Sequence, residues 1–161
     1  MTYLCERYPH VGYLIGESPE ERAVINQYVS WYQNHFRPAM FKPIRMYLGA
    51  VMMGQQILQA HRDSLFAEMF EAIKKFDELL SLNPGKYLCG DKLSIADLLF
   101  FYELTNLTYF GLDHEKYPQV KRWFVEVYRI KEVKTITHEW YQIAKTLAGL
   151  FEGVEIVKAK L

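Results

Sequence analysis

Cysteine is scarce in this chain. There are two, Cys5 and Cys89, without CxxC spacing, which excludes a disulfide framework and fits a reducing compartment, the cytosol or an organelle matrix. An excess of charge is also missing: nineteen basic side chains face nineteen acidic ones, so no overall field favours nucleic acid or an anionic membrane. No apolar run approaches the ~18 residues of a membrane span, and MTYLCERYPH lacks the charged-then-apolar layout of a secretory signal. The expectation is a chain that binds no nucleic acid and inserts in no membrane. His10, His35, His61, His114 and His138 share no ligand spacing with one another or with the cysteines, so no metal site is expected. There is no glycine-rich phosphate loop, no internal repeat and no low-complexity segment. Strand-like alternation is confined to the last residues, GVEIVKAKL.

What is abundant is apolar and aromatic surface. Half of the residues are hydrophobic and 16% aromatic, with twelve tyrosines, enough for 161 residues to close one core and leave some surface for a partner. Helix signals dominate. Ser18-Pro19-Glu20-Glu21 combines an N-cap serine, a first-turn proline and a glutamate three residues on. The helix it starts runs through Tyr28 and Trp31 to His35, where Pro38 and Pro43 are expected to break or kink the path before a second stretch to about Ile57. After a polar break at His61 to Asp63, Leu65, Met69, Ile73, Phe76 and Leu80 form one buried stripe, closed by the turn Asn83-Pro84-Gly85. Tyr117-Pro118 opens a helix with Val120, Trp123, Phe124 and Val127 inward, and Thr135 to Leu147 gives the last.

Between these lies GDKLSIADLLFF. Ser94 and Asp97 are spaced as a reciprocal capping box, and Leu93 and Leu98 as its hydrophobic staple. The LLFFYELTNLTYF that follows is apolar on nearly every side and predicts a central helix. Fold class is therefore all-α, a bundle of about six helices. Residues 1–8 read as the end of an element whose beginning is absent, 9–17 as a linker, 18–150 as the helical domain and 151–161 as a tail.

Tyr87-Leu88-Cys89-Gly90-Asp91-Lys92-Leu93-Ser94-Ile95-Ala96-Asp97, followed by Tyr117-Pro118-Gln119-Val120-Lys121-Arg122-Trp123, resembles the C-terminal helical domain of cytosolic glutathione transferases. Trp31, Arg37 and Pro43, spaced Trp-x5-Arg-x5-Pro, resemble the theta class. The resemblance implies a bundle that packs on a thioredoxin-like domain carrying the catalytic Ser, Tyr or Cys and the glutathione cradle. MTYLCERYP is similar to the segment that follows the Ser-x-Ala-Ile turn of that domain, so 1–8 would be the remnant of its last helix. It also implies that Arg37 projects between the glutathione and electrophile sites. The acidic position that can follow the tryptophan by three in that class is Asn34 here.

Site expectations follow. Arg37 would bind substrate, and Phe36, Met40, Phe41 and Tyr47 would line an apolar electrophile pocket, although residues of this kind at helical spacing are also ordinary core. Ser94, Asp97, Leu93 and Leu98 are structural. Cys5 and Cys89 read as packing thiols, and no catalytic residue is assigned within the chain. Glutathione enters as a ligand only with the missing domain. Two readings stand side by side: a noncatalytic interaction or scaffold subunit, whose protein partner covers the face left by the absent domain (Tyr3, Leu4, Tyr8), or the C-terminal half of a theta-like transferase. Either leaves a homodimer open.

Overall fold

The computed structural model describes residues 2–54, 59–83, 85–109 and 114–148. Among the described residues seven α-helices follow one another: α1 (Thr2–Arg7), α2 (Pro19–Trp31), α3 (Arg37–Met52), α4 (Gln59–Leu82), α5 (Ile95–Tyr109), α6 (Pro118–Tyr128) and α7 (Lys131–Ala148). No strand occurs among the described residues, and no helix there is long and apolar enough to cross a membrane.

The capping signals work as their chemistry dictates. Ser18 Oγ accepts from the Glu21 amide at 3.1 Å while Glu21 reaches back to the Ser18 amide at 3.3 Å. Both halves of the box at the start of α2 are made. The first turn of α6 is closed differently. Its N-cap, Tyr117, makes no side-chain capping bond, and Asp77 of α4 takes the Gln119 and Val120 amides instead, each at 2.8 Å. One carboxylate thus caps a helix and locks it to its neighbour.

Helix α5 is buried or half-buried from Ile95 to Asn106, with Phe100, Phe101 and Leu104 fully enclosed. Phe100 stacks on Phe76 of α4 at 4.6 Å and Phe101 on Phe124 of α6 at 4.4 Å, while Trp123 meets Phe76 edge-on at 5.1 Å. Offset and edge-on ring pairs like these add to the stabilisation from burial. The expected α4 stripe is present in Met69, Ile73, Phe76 and Leu80, all buried; the side chain of Leu65 lies outside the described residues.

Three expectations are corrected. Pro38 and Pro43 do not break the path. Backbone runs from α2 through a π-helical turn, Tyr32–Phe36, directly into α3, which contains Pro43. The register changes just before Pro38, which has no amide to contribute to the helical ladder. The polar residues His61 to Asp63 lie within the first turns of α4 instead of separating elements, consistent with the tolerance of helix starts for polar side chains. Within residues 9–17, expected as a linker, Pro9–Ile15 forms a 3₁₀ helix. The last helix begins four residues earlier than Thr135, at Lys131. Residues 55–58 and the tail lie outside the described residues.

Asp97 holds the loop before α5 to both α5 and α6. Its Oδ1 accepts from the Leu88 amide at 2.7 Å and Trp123 Nε1 at 2.8 Å, and its Oδ2 from the Ser94 amide at 2.9 Å and Ser94 Oγ at 2.7 Å. The reverse half of the box, Asp97 amide to Ser94 Oγ, is stretched to 3.5 Å. Leu93 and Leu98 are half-buried against the core. The loop itself requires glycine at Gly85, where a Cβ would come within 2.5 Å of the Gly90 carbonyl oxygen.

Removing the Asp97 carboxylate strands several buried donors, each costing about 1–3 kcal/mol. Asp97→Ala should therefore lose at least about 3 kcal/mol in urea denaturation, well beyond Trp123→Phe, which removes one donor and part of a ring. A loss below about 1 kcal/mol for Asp97→Ala would contradict this assignment.

Candidate functional site

The π turn decides where the residues around Arg37 point. Tyr32 and Phe36 enter the core, Tyr32 meeting Phe100 edge-on at 5.2 Å and Phe36 packing on Phe100 at 4.7 Å. Trp31 stacks on Phe100 at 5.4 Å and also meets Phe36 at 5.6 Å. Arg37, the first residue of α3, emerges to solvent.

Beneath Arg37 lies a short polar chain. The Tyr32 hydroxyl donates to Glu103 Oε2 at 2.7 Å, and Arg37 Nη1 approaches the same hydroxyl oxygen at 3.5 Å. Tyr32 and Glu103 are both buried. Burial pushes the Glu103 carboxyl above the ordinary glutamate value, opposed by the Tyr32 hydrogen bond and the Arg37 charge. The Tyr32 phenol is pushed upward too, by burial and then by its bond to Glu103. The phenol is a hydrogen-bond donor and no proton source near neutral pH.

The expected pocket residues separate. Phe36 and Met40 have no exposed surface in this chain, whereas Phe41 is 48% exposed, one helical turn beyond Arg37. The Tyr47 side chain lies outside the described residues. Asn34 turns back to its own helix, donating to the Ser30 carbonyl at 2.9 Å. The arrangement brings together Arg37, Tyr32 and Glu103 with Phe41 alongside. Tyr32 and Glu103 were not among the expected site residues. A carboxylate in the middle of LLFFYELTNL is the sequence signal for them, since such a group needs a buried donor.

At the other end of α2 a cleft of about 200 Å³ opens among Tyr13, Glu21, Ile25, Cys89 and Lys92. Burial pushes the Cys89 thiol up to about 12, so it is a thiol and not a thiolate near neutrality. Cys5, on the inner side of α1, is buried. Among the described residues no group of three His, Cys, Asp or Glu side chains could hold a metal ion.

The family Glutathione S-transferase, C-terminal domain matches residues 38–131. This chain belongs to that family. It is 25% identical over 156 residues to dichloromethane dehalogenase of Methylorubrum extorquens, covering 91% of this chain and 54% of that protein. It is 26% identical over 139 residues to the glutathione S-transferase-like protein FUS3 of Gibberella moniliformis, covering 83% and 60%. The chain thus spans little more than half the length of these curated relatives. Among solved structures, glutathione transferase F7 from Populus trichocarpa superposes with a TM-score of 0.71 at 21% identity, over 85% of this chain and 65% of that one. A glutathione S-transferase from Rhodospirillum rubrum gives 0.68 at 24% identity, over 81% and 59%. The shared fold is the all-helical C-terminal domain.

The raised Glu103 pKa has a definite sign in stability. An acid whose pKa is higher folded than unfolded contributes stability that is complete below its ordinary 4.5 and is lost as pH rises through the folded value. Glu103→Gln abolishes that titration. Its unfolding free energy relative to wild type should therefore increase as pH rises from 4.5 toward neutrality, measured by urea denaturation across that range; a flat or falling difference would contradict the assignment.

Proposed function

We propose that this helical domain is a noncatalytic interaction unit that docks a thioredoxin-like domain, through a face that includes the exposed side of α1. The observation that carries the reading is the state of that short helix. Cys5 anchors it in the core, while Tyr3, Leu4 and Tyr8 stand 70%, 52% and 49% exposed. Exposed aromatic and aliphatic side chains grouped at the surface are what the centre of a protein interface uses. Membership of a C-terminal domain family supplies the occupant, since the proteins of that family pair such bundles with a thioredoxin-like domain. That domain brings the glutathione cradle and the thiol-activating group, whether joined to these residues or supplied by another polypeptide.

The Arg37–Tyr32–Glu103 chain favours a second, catalytic reading for the completed assembly. With a theta-like thioredoxin domain docked, it conjugates glutathione to electrophiles. Arg37 then offers positive charge beside the sulfur or the leaving group. Phe41 and Tyr47 form the apolar wall, and Phe36 and Met40 support it from beneath.

Both readings meet in one experiment. The 161-residue chain, mixed with a thioredoxin-like domain from a theta-like transferase, should co-elute with it in gel filtration. Tyr3→Ser with Leu4→Ser should weaken the complex at least about tenfold, roughly 1.4 kcal/mol. The chain alone should neither be retained on immobilised glutathione nor conjugate an aryl halide. If the complex turns over, Arg37→Ala should cost it roughly 10²-fold. Conjugation by the isolated chain would overturn the noncatalytic reading, and absence of any complex would overturn the docking.

A further inference from the structure

Two carboxyls are buried among the described residues, Asp97 and Glu103. Asp97 is accounted for by the donors it gathers from three segments. Glu103 caps no helix and joins no loop, and its hydrogen-bond partner is the Tyr32 hydroxyl. A buried carboxylate held this sparsely is a poor stabiliser, because an apolar side chain of similar volume would do as well or better.

The geometry of the π turn supplies the reason. In a regular α-helix two residues five apart face directions about 140° different. Here the Arg37 amide bonds to the Tyr32 carbonyl, five residues back, and the wider turn sets the two side chains on one side. Tyr32 has a single hydroxyl hydrogen, and the 2.7 Å bond to Glu103 takes it. The lone pairs of that oxygen are then left facing Arg37 Nη1, at 3.5 Å. Glu103 thereby fixes the polarity of the hydroxyl, and the hydroxyl in turn receives the guanidinium.

We propose that Glu103 is a positioning residue for Arg37, acting through the Tyr32 hydroxyl. The inference deepens the transferase reading of Arg37 and concerns the same site. With Glu103 ionised, Tyr32 is held as donor to the carboxylate and acceptor to the guanidinium, so an exposed arginine keeps one orientation. Protonation of Glu103 lets the hydroxyl turn and releases the arginine. The charged and titratable groups acting on the carboxyl are Arg37 of α3 and Tyr32 of the π turn. Between α7 and α5 an uncharged pair is made, Trp140 Nε1 donating to Asn106 Oδ1 at 2.8 Å. Among the described residues no charged group of α2, α6 or α7 acts on it.

The test is an NMR pH titration of the 161-residue chain, following the Arg37 Nε–Hε resonance and the Glu103 side-chain carboxyl carbon together. In wild type the Arg37 signal should step at the pH where Glu103 titrates. In Tyr32→Phe the carboxyl should still titrate while the Arg37 step is lost, and in Glu103→Gln the step should be absent. An Arg37 step of undiminished size in folded Tyr32→Phe, or no step in wild type, would overturn the proposal. Because Tyr32→Phe leaves Glu103 in place, the test stands even if Glu103→Gln fails to fold. A completed assembly that never conjugates glutathione, with the Arg37 step intact, would remove the transferase reading and leave this coupling in force.

Discussion

A carboxylate taken out of water must be met by donors or else stay protonated, and Asp97 is met from every side that the fold requires to converge. The Leu88 amide brings the loop, the Ser94 amide and hydroxyl bring the start of α5, and the Trp123 indole brings α6. Burial pushes the carboxyl above the ordinary aspartate range and the donors pull against it. Removing any one segment would leave the others with unpaired polar groups in a dry interior. Cys89, beside this carboxylate, is kept a thiol chiefly by burial. The Ser94 hydroxyl has one hydrogen, and at 2.7 Å Asp97 is a far better acceptor than the sulfur at 3.7 Å.

Once α5 is fixed, the aromatic cluster follows. Phe100 packs against Trp31, Tyr32, Phe36 and Phe76, with ring centroids 5.4, 5.2, 4.7 and 4.6 Å away, and Trp31 also reaches Phe76 at 6.2 Å. Packing of this density leaves few positions for the C-terminal end of α2. The π turn is how the backbone meets the demand: it sends Tyr32 and Phe36 inward and returns Arg37 to the surface. The candidate site is therefore a by-product of core packing, with its charged group placed by the same rings that stabilise the fold.

Local chemistry was readable in the sequence. The two capping boxes, the α4 stripe from Met69 to Leu80 and the apolar circumference of α5 all follow from residues within one or two turns of each other, and the structure holds each of them. Pairings between distant segments were not readable. Tyr32 and Glu103 are 71 positions apart, and Asp77 caps a helix 42 positions on; no spacing rule reaches that far. The prolines misled for a related reason, because whether Pro38 breaks a helix depends on a register change imposed by tertiary packing. Of the site, Arg37 and Phe41 are exposed as a substrate contact needs, while Phe36 and Met40 are enclosed in the core. Sequence pattern alone does not separate an apolar pocket wall from an apolar core.

Native-state hydrogen exchange tests the role of Asp97 most directly. The amide protons of Leu88 and Ser94 and the indole proton of Trp123 should exchange together, only through global unfolding, with one protection free energy equal to the stability of the domain. Exchange of these protons by independent local openings, at free energies well below the global value, would show that the bundle does not depend on this carboxylate.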